Sequence, residues 1–88
     1  MTALRSRWTG NPLNSFLQTH DLSPTQFSIA AGINYTIVYE SLNGYVRQFS
    51  QPIIDAIDSL DGPGTGEKVN SAYQAYRVSL AHSLLTKA

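Results

Sequence analysis

Proline is at home in a helix only in the first turn, where its missing N–H leaves no bond unmade and its fixed backbone angle suits the helix. In this chain it recurs behind capping positions: Asn11-Pro12, Ser23-Pro24, and Gln51-Pro52 with Ser50 beside it. Each predicts a cap and a first helical turn, the last with the weakest capping residue. From Pro12, the residues Leu13, Phe16 and Leu17 fall on one helical stripe. From Pro52, Ile53, Ile54, Ile57 and Leu60 do the same, with Asp55 and Asp58 on the opposite side.

A break follows, with Gly62, Pro63, Gly64 and Gly66 close together and Thr65 placed to cap what comes next. The stretch Gly62 to Lys68, GPGTGEK, invites a phosphate-loop reading. No strand precedes it, and Glu67 stands where that motif needs its lysine, so a hinge is the better reading. Beyond it, Val69, Tyr73, Tyr76, Leu80 and Leu84 recur at steps of four, three, four and four. They predict one amphipathic helix from Glu67 to Lys87, about 30 Å long at roughly 1.5 Å per residue. That stripe either covers the chain's own core or pairs with a two-fold mate.

The stretch between the second and third prolines holds the decisive ambiguity. Asn34 to Leu42, NYTIVYESL, is β-branched and aromatic enough for a strand, with Asn43-Gly44 as a hairpin turn and Tyr45 to Phe49 as the second strand. That second strand is short, and the pairing would expose Ile37 or Val38. The alternative is two helices, Pro24 to Ala31 and Tyr35 to Asn43. Phe27 and Ala31 are four apart on the first, and Val38 and Leu42 are four apart on the second. Ser28 and Ala31 are small where two steeply crossing helices come close. Gly32 suits the left-handed residue that ends a helix, Ile33 plugs the corner, and Asn34 caps the second helix. An all-α fold of five helices is therefore expected: a flexible tail over 1–10, a helical domain over 11–61, a Gly/Pro hinge over 62–66, and a C-terminal helix over 67–88.

Composition narrows the function. With 88 residues the chain has room for one small core. There is no Cys, which excludes disulfides, thiolate metal sites and cysteine nucleophiles and fits an intracellular setting. No apolar run reaches the roughly 18 residues of a membrane span, and the first residues hold no signal-peptide core. A cytoplasmic protein with no membrane partner is expected. Six Lys plus Arg balance six Asp plus Glu, so net charge offers no general attraction to nucleic acid. The distribution is uneven, with Arg5, Arg7 and Arg47 opposed by only Asp21 and Glu40 in the first part of the chain.

The stretch Leu22 to Gly44, LSPTQFSIAAGINYTIVYESLNG, resembles the helix-turn-helix of the Cro and lambda-repressor group of bacterial and phage regulators, the xenobiotic-response-element type. The matching features are Leu22 and Ser23 before the first helix, Phe27, the turn Gly32-Ile33-Asn34, Val38, and the closing Asn43-Gly44. Flanking helices extend the likeness from about Asn11 to Leu60, a little over half the chain. The chain departs from the family at Pro24, where a Gln touching the DNA backbone is common. It also departs at Ser28, Ile37 and Ser41, and in carrying Arg47 without the usual basic cluster.

The resemblance implies a lambda-repressor-like domain of about four helices followed by the C-terminal helix. It implies a phage- or plasmid-type transcriptional regulator that binds a double-stranded DNA operator as a dimer. In that architecture the helix over 35–43 lies in the major groove with its N-terminal end toward the base edges. Base contacts would come from Asn34, Tyr35, Thr36, Tyr39 and Glu40, a surface without Arg or Lys that favours A·T-rich or cytosine-directed contacts. Backbone contacts would come from Thr25, Gln26 and Arg47, with Arg5 and Arg7 in the tail. A dimer interface would use Val69, Tyr73, Tyr76, Leu80 and Leu84, its tyrosines suiting a contact with one apolar and one wet side.

Neither an enzyme nor a cofactor or metal site is expected. His20 and His82 lie on different predicted helices with no ligand spacing around them, and no nucleophile elbow or carboxylate pair is present. The rival use of the same fold is a protein-binding modulator that pairs with another regulator, because the Tyr35-Ile37-Tyr39 surface suits protein as well as bases.

Overall fold

The computed structural model describes residues 8–87, so the expected contacts from Arg5 and Arg7 lie outside the described residues. The described residues form five helices and no strand: α1 (Pro12–Thr19), α2 (Pro24–Ala31), α3 (Tyr35–Leu42), α4 (Gln51–Asp61) and α5 (Thr65–Lys87). The hairpin alternative is thereby overturned. Asn34 settles the matter locally, because its side chain accepts from the Thr36 amide at 2.8 Å and starts a helix where the β-branched run could have extended. Among the described residues no helix is long and apolar enough to cross a membrane.

Caps account for most of the helix boundaries. Ser23 and Gln26 form a reciprocal capping box: the Gln26 amide donates to Ser23 Oγ at 3.1 Å, and the Ser23 amide donates to Gln26 Oε1 at 2.9 Å. The first three helices end alike. A left-handed residue (Asp21, Gly32, Gly44) is followed by an apolar one (Leu22, Ile33, Tyr45) whose amide reaches five residues back, to Leu17, Ser28 and Glu40. Asp tolerates that conformation better than most side-chain-bearing residues, which is why α1 can end without a glycine. For α4 the expected cap is displaced by one residue. The helix begins at Gln51, and Ser50 precedes it without a side-chain cap bond.

Leu13, Leu17, Phe27, Val38, Leu42, Ile53, Ile57 and Tyr73 are fully buried and form the centre of one core. α2 lies against α3 and α4, while α5 lies across α1 and α4. Ser28 and Ser41 are buried as small residues, their hydroxyls returned to their own helices at Thr25 O (2.7 Å) and Ile37 O (3.0 Å).

Three boundaries differ from expectation. Trp8 is packed rather than part of a free tail, while Thr9 and Gly10 beside it are exposed. Trp8 is buried, and its indole N–H donates to Asn43 Oδ1 at 2.9 Å, so a large apolar surface leaves water with its one polar atom satisfied. The last helix starts at Thr65, two residues before the expected Glu67. The hinge is accordingly shorter than 62–66, and Gly66 is buried against α4 with its amide donating to Asp58 Oδ1 at 2.7 Å. That carboxylate already occupies the first turn of α5, where a phosphate loop would hold its anion.

The stripe on α5 resolves in favour of the core. Tyr73 is fully buried and donates its phenol to Val46 O at 2.6 Å, while Val69 and Tyr76 pack on the core at partial burial. The expectation that Tyr73 faces a second chain is corrected, because a chain of this size needs that apolar area for its own interior; Val69 and Tyr76 keep part of their surface outside the core. Burial also pushes the Tyr73 phenol above its ordinary value of 10.0, against a lowering influence from the Arg77 guanidinium. The folded chain therefore resists deprotonation, so this group's contribution is whole below about pH 10 and lost as pH rises through the raised value. The parent's resistance to urea should fall as pH rises above about 10. Tyr73→Phe should flatten that fall, and an equally steep fall in the variant would assign it to other groups.

Candidate nucleic-acid interface

The face of α3 opposite Val38, Ser41 and Leu42 is turned outward, and it begins at the corner. Asn34, Tyr35, Thr36 and Ile37 are exposed, whereas Tyr39 and Glu40 are half-buried. The expected base-contact set is therefore split. Tyr39 packs on the core and meets the edge of Trp8, ring centroids 5.9 Å apart, while Tyr35 lies over it at 5.8 Å with planes 27° apart. In this arrangement Tyr39 is a support, and Tyr35, 41% exposed, is the outer ring of the pair. Asn34 spends one lone pair of its carboxamide oxygen on the α3 cap. The cap leaves its amide N–H₂ and a second lone pair unused. Thr36 is exposed and its side chain has no capping duty.

The residues expected to contact a DNA backbone lie on the two elements that flank this helix in the chain. Thr25 and Gln26 are exposed in the first turn of α2, although Gln26 Oε1 is committed to the capping box. Arg47 is exposed in the loop between α3 and α4. Sequence reasoning passed over Tyr45, which is 72% exposed two residues before Arg47, and Ile29, 74% exposed on the outer side of α2. The signal for Ile29 was available, since it lies off the stripe of Phe27 and Ala31. Tyr45 carried none, because an aromatic after a left-handed glycine reads equally well as a core contact.

The helix-end network holding α3 was also hidden. Asn11 is fully buried; its Oδ1 accepts from the Leu13 amide at 2.9 Å, and its Nδ2 donates to Ser41 O at 3.1 Å and Leu42 O at 2.8 Å. One side chain thus caps the start of α1 and the end of α3. Arg77 adds a bond from Nε to Gly44 O at 3.0 Å.

On the remaining surface, His20 Nε2 lies 3.3 Å from Asp61 Oδ1, a pair that joins the ends of α1 and α4 and that sequence spacing does not suggest. A groove of about 350 Å³ between α2 and α4 is lined by Ala30, Ala31, Pro52, Asp55, Ala56, Ser59 and Leu60, without a base or nucleophile constellation. Among the described residues no group of three or more His, Cys, Asp or Glu could hold a metal ion. Of the expected dimer residues, Leu80 is half-buried beside Gly44, and Leu84 is exposed. Comparison of the chain with protein-family models, with curated proteins and with solved structures finds no match.

Proposed function

We propose that this chain is a small sequence-specific DNA-binding transcriptional regulator, with α2 and α3 as the helix-turn-helix and α3 as the helix that enters the major groove. The observation that carries the reading is the outward face of α3. Asn34, Tyr35 and Thr36 are exposed at the N-terminal end of a short helix whose opposite side is anchored in the core. That end is the one this architecture turns toward base edges. The left-handed Gly32 between two eight-residue helices supports it, as does the resemblance over Leu22 to Gly44.

A single protomer offers few cationic contacts, so the reading includes a homodimer. Its surface is the outer end of α5, where residues 81–86 are all exposed and Leu85 is 82% exposed, with Val78 and Leu84 beside it. This replaces Val69, Tyr73 and Tyr76 as the expected contact.

The test is selection of fragments from the chain's own genome, followed by a salt titration on the best one. Affinity should fall steeply between about 50 and 200 mM salt, with a slope near −5 for a dimer using about three cationic contacts per protomer. Thr36→Ala should relax sequence preference, and Arg47→Ala should weaken all sequences about equally. Asn34→Ala is the poorer probe because it also removes a cap worth about 1 kcal/mol. Leu85→Glu should leave the fold intact and abolish both dimerisation and tight binding. Folded protein that retains no fragment above random DNA at low salt refutes the reading.

The exposed apolar side chains of Ile29 and Ile37 favour a second use, pairing with another regulator. A contact of that kind would show little dependence on salt.

A further inference from the structure

The loop after α3, residues 44–49, is held unusually closely for a surface connection. Gly44 and Phe49 are buried, Val46 is half-buried, and Tyr45, Arg47 and Gln48 are exposed. Four side chains of α5 reach it. The Phe49 amide donates to Asn70 Oδ1 at 2.9 Å, and Tyr73 donates its phenol to Val46 O at 2.6 Å. Gln74 Nε2 donates to Gln48 Oε1 at 3.4 Å, and Arg77 Nε donates to Gly44 O at 3.0 Å. Positions 70, 73, 74 and 77 form one face of a helix at steps of three, one and three, and along it the loop runs antiparallel. Two of these bonds satisfy loop carbonyls and one a loop amide, so α5 supplies partners that a connection of this length otherwise takes from water.

We propose that α5 is a strap that pre-orders this loop, and that the loop presents Tyr45 and Arg47 together as a phosphate-contacting pair. The inference rests on the DNA-binding reading above and deepens it. Asn70, Tyr73 and Arg77 are positioning residues that touch no DNA. Tyr45 adds a phenol donor to the guanidinium of Arg47, and both donor types serve phosphate oxygens. Pre-ordering matters because a loop fixed during folding has little freedom left to lose on binding.

Tyr73→Phe is the sharpest test, since it keeps the packed ring and removes only the phenol bond to Val46. Hydrogen exchange on the free protein should quicken at amides 45–49, with Phe16 and Leu17 in α1 as unchanged references. On a mixed-sequence duplex at about 50 mM salt, affinity should fall about threefold to tenfold, the range one net hydrogen bond supplies. The salt slope should fall toward that of Arg47→Ala. In a background already carrying Tyr45→Phe and Arg47→Ala, Tyr73→Phe should change affinity by less than about twofold, because coupled residues are not additive. Asn70→Ala, acting at the other end of the strap, should behave alike. Unchanged exchange in the loop overturns the strap. Faster exchange with the full loss persisting in the stripped background overturns its coupling to DNA. If the parent retains no duplex, the DNA reading and the contact role fall together, while the exchange result still decides the strap.

Discussion

Replacing Gly66 by Ala should destabilise the chain by about 3 kcal/mol, near the upper end for overpacking a core. Helix propensity alone argues the other way, because Ala is favoured over Gly by roughly 1 kcal/mol inside a helix. The difference is tertiary. A Cβ at position 66 would press on the backbone carbonyl oxygen of Ile54, with Ile54 Cγ2 2.6 Å and Asp58 Oδ1 3.0 Å away. A backbone atom in the middle of α4 has no rotamer by which to retreat. The two helices must separate, and the Gly66 to Asp58 bond of 2.7 Å lengthens with them. For a domain of this size, total stability is about 4–13 kcal/mol, so the loss is a large share. Urea unfolding followed by circular dichroism measures it, and a midpoint equal to or above the parent's would show that α4 and α5 are not in close contact there. Gly32→Ala is the comparison. Open space surrounds that position, and its φ of +69° alone should cost about 1–2 kcal/mol.

Asn11→Ala should cost a similar amount, about 3 kcal/mol, through a different mechanism. The capping oxygen of α1 accounts for about 1 kcal/mol. The rest comes from the end of α3, where the Leu42 carbonyl loses the 2.8 Å donor and the Ser41 carbonyl loses a second one at 3.1 Å. Stranding a buried acceptor costs about 1–3 kcal/mol. The thermal midpoint should drop by roughly 15 °C, taking about 4–8 °C per kcal/mol for a domain of this length. Asn11→Asp separates the two roles, since it keeps an acceptor for the Leu13 amide and removes both donors. Recovery to parent stability in that variant would show that the α3 bonds contribute nothing.

These two residues mark where sequence reading stops. Pro12, Pro24 and Pro52 announce helix starts because the ring restricts its own backbone angle, whatever lies nearby. Gly32 and Asn43-Gly44 announce ends for the same local reason. Asn11 could be read as a cap for α1, yet its second duty depends on a carbonyl 31 positions away. Trp8 falls within the tail expected over 1–10; its place is set by Asn43 and Tyr39, which only folding brings to it. The outward face of α3 was legible as a surface from its periodicity, but the demotion of Tyr39 to a support was not.

The sequence by itself determined the helical class, the corner at Gly32 and the absence of any base on α3, since each follows from backbone preferences or residue identity within a few positions. Tertiary structure decided what the α5 stripe covers, why Gly66 has no room for a Cβ, and how the loop carrying Arg47 is held. Those are contacts between residues far apart in the chain. Periodicity tells which face of a helix is apolar, but the partner that buries it is chosen by the packing of the whole.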